Sequence, residues 1–396
     1  MATPTLPYWR LSSVYFFYFA SLGILMPYLG LYLKSLGFVA AQVGLVFAVI
    51  QGTKIVAPNI WAWIADTYQY RMRLVQVAAL LSAVTFSFIS FDNTLWTILI
   101  VCCVFSFFWN AMLPQFEAVT LTLLADNTNR YSKIRLWGSV GFIVAVAGGG
   151  ALLERLGVAS WPMVTLVTLG FVFAASLFVR NSSRSVKHKE QRPLGAMLKE
   201  KKVLAFFAML FLIQASHGPY YSFFSILLKE QGYSETAIGQ FWSLGVVAEI
   251  LLFLIMQRVF RYVSLRKILL ISIVLTIVRW LLIAWFSDNL GSLLVAQILH
   301  AASFGAFHVA CIQLIHTYFK GVHQVRGQAL YSSVGFGAGG MFGSLMAGYM
   351  WDSLGPTWAF SSAAFLSACA LFVAYKWLDI YQPDNKSVSE TGLFQS

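Results

Sequence analysis

Apolar residues along this chain do not alternate with polar ones. They gather in runs of about 20, long enough to cross a ~30 Å hydrocarbon layer as helices. Twelve such spans are predicted, at 10–34, 42–65, 74–90, 95–124, 136–154, 161–180, 203–228, 237–257, 267–287, 291–318, 327–350 and 357–377. Backbone groups in lipid must be satisfied within the segment, which selects helices, and the runs are too long for barrel strands. The expected fold class is an all-α polytopic membrane protein with twelve transmembrane helices.

Composition removes the soluble alternative, since 59% of the 396 residues are hydrophobic and only 11% charged. A net charge of +12 raises a nucleic-acid partner, but the distribution of the cations argues against one. They fall in alternate loops: Arg71 and Arg73; Arg130 and Lys133; Arg258, Arg261, Arg266 and Lys267; Lys320 and Arg326. The densest stretch is a linker over 181–202, while the intervening loops carry Asp92, Asp288 and Asp352. By the positive-inside rule the linker and both termini are cytoplasmic. The linker can also touch anionic membrane lipid. No cleavable signal peptide is expected, because the first apolar run is too long for one. Cys102, Cys103, Cys311 and Cys369 all lie inside predicted spans and are expected to pack rather than bind metal or form disulfides.

The chain repeats itself. Leu33-Lys34-x-x-Gly37-Phe38 with Val43-Gly44 returns, at one offset, as Leu228-Lys229-x-x-Gly232-Tyr233 with Ile238-Gly239. Leu136-Trp-Gly-Ser139-Val140-Gly141-Phe142 returns as Leu330-Tyr-Ser-Ser333-Val334-Gly335-Phe336. Each of these spans then ends in an acid three residues before a glycine, Glu154 with Gly157 and Asp352 with Gly355. Six spans per half give parallel repeats, the plan of transporters that hold a solute between two halves and rock around it. The expected units are 1–180, a bundle of six helices; 181–202, the basic linker; 203–378, a second bundle of six; and 379–396, a disordered tail.

Charges inside spans are costly, at least ~2.5–3.5 kcal/mol at the bilayer centre, and mark function. Here they are Lys54, Glu117, Arg135, Glu249 and Arg279, with His217, His300 and His308 beside them. Lys54 precedes Asp66, at the cytoplasmic end of its span, by twelve residues, placing it about 18 Å deep. It should face a wet cavity or a partner. Glu117–Arg135 and Glu249–Arg279 are the expected pairs, which leaves one cation over and suggests an anionic substrate, a small monocarboxylate. His300 and His308 are eight residues apart, so their directions should differ by about 80° around one helix. An unperturbed histidine titrates near neutrality, as a proton-coupled carrier requires. No His-Glu-x-x-His or Ser/His/Asp spacing suggests an enzyme. No cofactor is expected; the proton gradient is the driving force.

The chain resembles the major facilitator superfamily over nearly its whole length, in the branch that contains the lactose and phenylpropionate permeases. The superfamily's loop motif is present in reduced form as Asp66-Thr-Tyr-Gln-Tyr-Arg71-Met-Arg73, so Asp66 and Arg71 are the candidate conformational gate. Pro114-Gln-Phe-Glu117-Ala and Tyr131-Ser-Lys-Ile-Arg135-Leu-Trp-Gly-Ser-Val-Gly141 look like the sugar-binding segment of lactose permease. Glu249, Arg279 and His300 fall at that family's proton-coupling positions. Ser303 replaces its proton-carrying carboxylate, and Phe142 its sugar-stacking tryptophan.

Trp242-Ser-Leu-Gly-Val-Val-Ala-Glu249, Val278-Arg279-Trp280 and Gln297-Ile-Leu-His300 resemble the phenylpropionate permeases more closely. The resemblance implies a multi-pass bacterial inner-membrane symporter for an aromatic acid, working as a monomer. Lys54, Glu117, Arg135, Trp137 and Phe142 are then the substrate-binding candidates. Glu249, Arg279, His300 and His308 are the proton-coupling ones. Trp109, Tyr220, Tyr221 and Trp242 are further candidates to meet the ring. A sugar or nucleoside symporter, or a drug or metabolite exporter of the same fold, is the alternative.

Overall fold

The computed structural model describes residues 7–68, 70–124, 130–179, 197–321 and 323–378. Most of the predicted linker and the whole of the predicted tail lie outside the described residues. In chain order the helices are α1 (Tyr8–Ser35), α2 (Ala40–Tyr68), α3 (Arg71–Ser90), α4 (Leu95–Leu124), α5 (Tyr131–Leu156) and α6 (Val158–Leu177). Then come α7 (Lys201–Glu230), α8 (Glu235–Tyr262), α9 (Leu265–Phe286) and α10 (Leu290–Tyr318). The next, α11, spans 323–354 as His323–Tyr331, a π-helical stretch Ser332–Gly339, and Gly340–Leu354. The last is α12 (Pro356–Trp377). All of them except α11 are long and apolar enough to cross a membrane, and α11 occupies the remaining predicted span. Exposed side chains such as Ile100, Val144, Leu254 and Phe365 give the bundle an apolar exterior suited to lipid.

The sequence repeat has a local physical cause. At the end of α1, Gly37 N–H donates to the Lys34 carbonyl and Phe38 N–H to the Leu33 carbonyl; at the end of α7, Gly232 and Tyr233 do the same to Lys229 and Leu228. Gly37 and Gly232 both stand at φ 87°, the left-handed cap that a side chain would strain.

Three expected continuous helices, α7, α10 and α11, are interrupted, the last by the π-helical stretch Ser332–Gly339. A single helix over 203–228 is expected, but α7 breaks at His217 into Lys201–Ser216 and Gly218–Glu230. Pro219 has no N–H for the helical ladder, and a side chain at Gly218 would run into the Gly343 backbone of α11. In α10, residues Ala301–Ala306 form a π-helical stretch, where i→i+5 bonding widens the turn.

The repeats meet along two seams, α2 against α11 and α5 against α8. Small residues allow the approach: a methyl at Gly44 would come within 2.5 Å of the Ser344 carbonyl oxygen. At the face opposite the chain ends, each seam carries the acid that recurs in the sequence. Asp352 accepts the N–H groups of Ala40 (3.0 Å) and Ala41 (2.7 Å) at the start of α2. Glu154 accepts the Thr236 N–H (3.1 Å) at the start of α8. A carboxylate at a helix N-terminus meets unpaired amides and the positive end of the helix dipole. Toward the chain ends the α2–α11 seam parts into a cleft of about 160 Å³ lined by Asn59, Arg326, Ala329, Leu330 and Ser333. Both seams are thus fastened at the face opposite the chain ends, and the α2–α11 seam opens toward the other.

Candidate functional site

In the first half, Lys54 projects from the middle of α2, where Pro58 supplies no N–H for the Lys54 carbonyl. Its Nζ donates to Gln51 Oε1 at 2.6 Å, and among the described residues no carboxylate lies within ion-pair distance. A neighbouring polar lattice ties α2 to α4: Thr53 Oγ1 donates to Ser106 Oγ (2.9 Å), and Asn110 Nδ2 donates to Thr53 Oγ1 (2.8 Å) and the Ile50 carbonyl (3.1 Å). This segment of α2 is therefore held rigidly while the ammonium keeps only a neutral partner.

Glu117 and Arg135 meet as the sequence predicts, Nε to Oε1 at 3.7 Å. Tyr131 OH donates to the same carboxylate at 3.3 Å, and the guanidinium lies 4.0 Å from the centre of the Phe19 ring. Arg135 and Glu117 retain 31% and 35% side-chain exposure, so solvent reaches them inside the bundle.

In the second half the expected Glu249–Arg279 pair does not form. Glu249 Oε2 lies 3.7 Å from His300 Nε2 instead. Arg279 is fully buried; its Nε donates to the Ala296 carbonyl and its Nη1 to Ser303 Oγ, both at 3.0 Å. Its guanidinium carbon sits 4.2 Å from the Tyr220 ring centre and 4.6 Å from that of Trp280. Cation–π contacts in such a desolvated place are worth about 2 kcal/mol or more, and the flat guanidinium suits them. Among the described residues two cations within spans, Lys54 and Arg279, are thus left without a carboxylate, where the pairing read from the sequence leaves one.

The histidines of α10 depart from the expected divergence of about 80°. His300 stacks on Phe304 (5.4 Å between ring centres, 6° apart) and Phe304 on His308 (6.0 Å, 5°). The wide π turn takes up the rotation that eight residues of ordinary helix would add, so the three rings form one column. His308 Nδ1 is hydrogen-bonded to Tyr331 OH at 2.7 Å. A phenyl ring carries no exchangeable proton, so the column holds the two imidazoles in register without joining them as a relay. Phe304, Tyr331, Gln51 and Tyr131 were not among the candidates. The four-residue spacing of 300, 304 and 308 was the available signal for Phe304.

The remaining candidates are scattered. Trp137 Nε1 donates to Tyr8 OH (3.1 Å) beside Trp9, near the chain-end face. Phe142 is buried where its backbone abuts Gly23 of α1. Trp109 is buried and stacks on Tyr18 (5.2 Å), with its Nε1 on Ser21 Oγ. Tyr220 OH donates to Gln297 Oε1 (2.9 Å) and Trp242 Nε1 to Ser225 Oγ (2.9 Å), both inside the second half. Tyr221 is half-buried and packs near Trp242. His217 Nδ1 is bonded to the Ile213 carbonyl (2.8 Å) at the break in α7. At the loop motif, Arg71 is ion-paired with Asp66 and donates to Gln115 Oε1 of α4 at 2.8 Å.

Residues 8–362 match the model of the MFS_1 like family, and the chain belongs to that family. It is 31% identical over 359 residues to a probable 3-phenylpropionic acid transporter of Escherichia coli, a match covering 86% of this chain and 90% of that protein. An uncharacterized transporter of Bacillus subtilis, YwbF, is 26% identical with 87% of each chain covered. The crystal structure of the nucleoside transporter NupG superposes with a TM-score of 0.80 at 18% identity, covering 94% of this chain and 99% of that one. At that identity the likeness shows the fold, the twelve-helix plan expected from the sequence. The chain is a multi-pass membrane transporter of small molecules.

Proposed function

We propose that this transporter imports a small aromatic carboxylic acid of the 3-phenylpropionate kind, coupled to protons, across the bacterial inner membrane by alternating access. The observation that carries the reading is Lys54, an ammonium within a span whose one hydrogen-bond partner among the described residues is the neutral Gln51. An uncompensated cation in a low-dielectric site favours an anionic ligand. The relative that shares 31% identity is named for such an acid, which supports the same choice. Arg135, with Phe19 beside it, offers a second cation and an aromatic surface reached by solvent.

Glu249 with His300 is the proton-coupling pair, and Arg279, held by Ser303, is a fixed charge behind it. With the chain ends in the cytoplasm, the fastened face is the periplasmic one and the α2–α11 cleft opens inward. Asp66, Arg71 and Gln115 steady the cytoplasmic ends of α2, α3 and α4 when the halves rock.

The experiment is uptake of radiolabelled 3-phenylpropionate into proteoliposomes under an imposed pH gradient, with a galactoside and a nucleoside as comparators. Wild type should accumulate the acid, and Lys54→Gln should lower its affinity by about 100-fold, which corresponds to ~2.7 kcal/mol. Accumulation of the galactoside or nucleoside in place of the acid would overturn the substrate. Unchanged affinity in Lys54→Gln would overturn the role of the lysine.

A further inference from the structure

Lys54 and Gln51 lie three residues apart, one turn of α2, and that spacing places the two side chains on the same face. The ammonium has donors only, so Gln51 must present its carbonyl oxygen to it, as the 2.6 Å contact with Oε1 records. The other end of the same amide faces the second half: a Cβ on Gly340 of α11 would stand 3.0 Å from Gln51 Nε2. Gln51 is buried, 4% exposed, so its side chain is wedged between the lysine and the α11 backbone. A glutamate fits nearly the same volume and differs by one charge. At this position it would give Lys54 an internal counter-ion at hydrogen-bond distance.

We infer that Gln51 is a specificity-determining residue: it aims the Lys54 ammonium without neutralising it, and so reserves that charge for an anionic substrate. The inference rests on the reading of Lys54 as the carboxylate-binding group. Discrimination here is a difference of affinities, achieved by leaving the cation's charge unspent within the protein. An acid at position 51 would compete with the substrate carboxylate for the same ammonium, and the competitor would be permanently in place. Because Gln51 also abuts Gly340, the orientation of Lys54 depends on the α2–α11 seam, which the transport cycle moves.

The test compares binding of 3-phenylpropionate with its uncharged analogue 3-phenylpropanamide, measured calorimetrically on the purified full-length protein in nanodiscs. Wild type, Gln51→Glu, Gln51→Met and Lys54→Gln are the proteins required. Gln51→Glu is expected to lose about tenfold or more in affinity for the acid while holding the amide as wild type does. Gln51→Met, which keeps the length and neutrality but drops the acceptor, should lose about threefold for the acid through misaimed lysine alone. Acid affinity unchanged in Gln51→Glu overturns the inference. Should that variant fail to fold, unchanged acid affinity in Gln51→Met does so instead. Wild type that binds no acid, or a Lys54→Gln protein that binds it as well as wild type, overturns the underlying reading of Lys54 and is a separate outcome.

Discussion

Arg135 and Arg279 are both guanidiniums set within helical spans, one in each half, and their surroundings are unlike. Arg135 has a carboxylate at 3.7 Å, an aromatic ring at 4.0 Å and 31% exposure. Arg279 has no exposure and, among the described residues, no carboxylate partner; it is held by a carbonyl, a hydroxyl and two aromatic faces. The same contrast extends to their neighbours. Around Arg135 the polar groups are wet and can exchange partners. Around Arg279, four buried nitrogens, Arg279 Nη2, Gln297 Nε2, His300 Nδ1 and His217 Nε2, have no hydrogen-bond partner among the described residues. Unpaired buried polar groups are costly, so they mark places where function competes with packing. The difference agrees with the proposed division of labour, in which the first half exchanges ligand and the second holds the coupling charge.

The sharpest way to break that contrast is Glu249→Gln. It should abolish pH-gradient-driven accumulation, about 100-fold or more, while leaving exchange of labelled for unlabelled substrate. Accumulation that survives would move the coupling group into the first half. Phe304→Leu removes the ring between His300 and His308 without changing charge; a fall of about tenfold in coupled uptake, with binding kept, is expected if imidazole register matters. Equal loss of binding and uptake would instead place Phe304 at the substrate. The smallest effect concerns the seams rather than the sites. Glu154→Gln with Asp352→Asn weakens both carboxylate–amide fastenings and should raise periplasmic labelling of a cysteine introduced at the centre about threefold, by shifting the equilibrium toward the outward-open form. Labelling that does not change would mean that close glycine packing holds that face by itself.

Much of this was legible in residue order. Glu117 and Arg135 are close in sequence, on neighbouring helices joined by a short connection, and they meet. Gly37 and Gly232 recur because each helix needs the same left-handed cap. The acids before Gly157 and Gly355 were visible as a repeat, yet their partners were not, since those are backbone amides of helices from the opposite half. Glu249 and Arg279 were paired by their opposite charge and adjacent spans. The choice failed because Tyr220, Trp280 and Ser303 hold the guanidinium in place of a carboxylate, leaving Glu249 to His300. The column of His300, Phe304 and His308 was missed for a geometric reason: ordinary helical periodicity was applied across a π turn.

By itself the sequence determined the number of spans, the parallel repeat and the residues whose charge demands an explanation. Span length, loop charge and recurrence are properties of one dimension, and lipid admits few ways to satisfy a backbone. Only the tertiary structure decided which charge each of those residues faces. That choice depends on close approach between helices distant in the chain and on a single widened turn in α10, and local composition specifies neither.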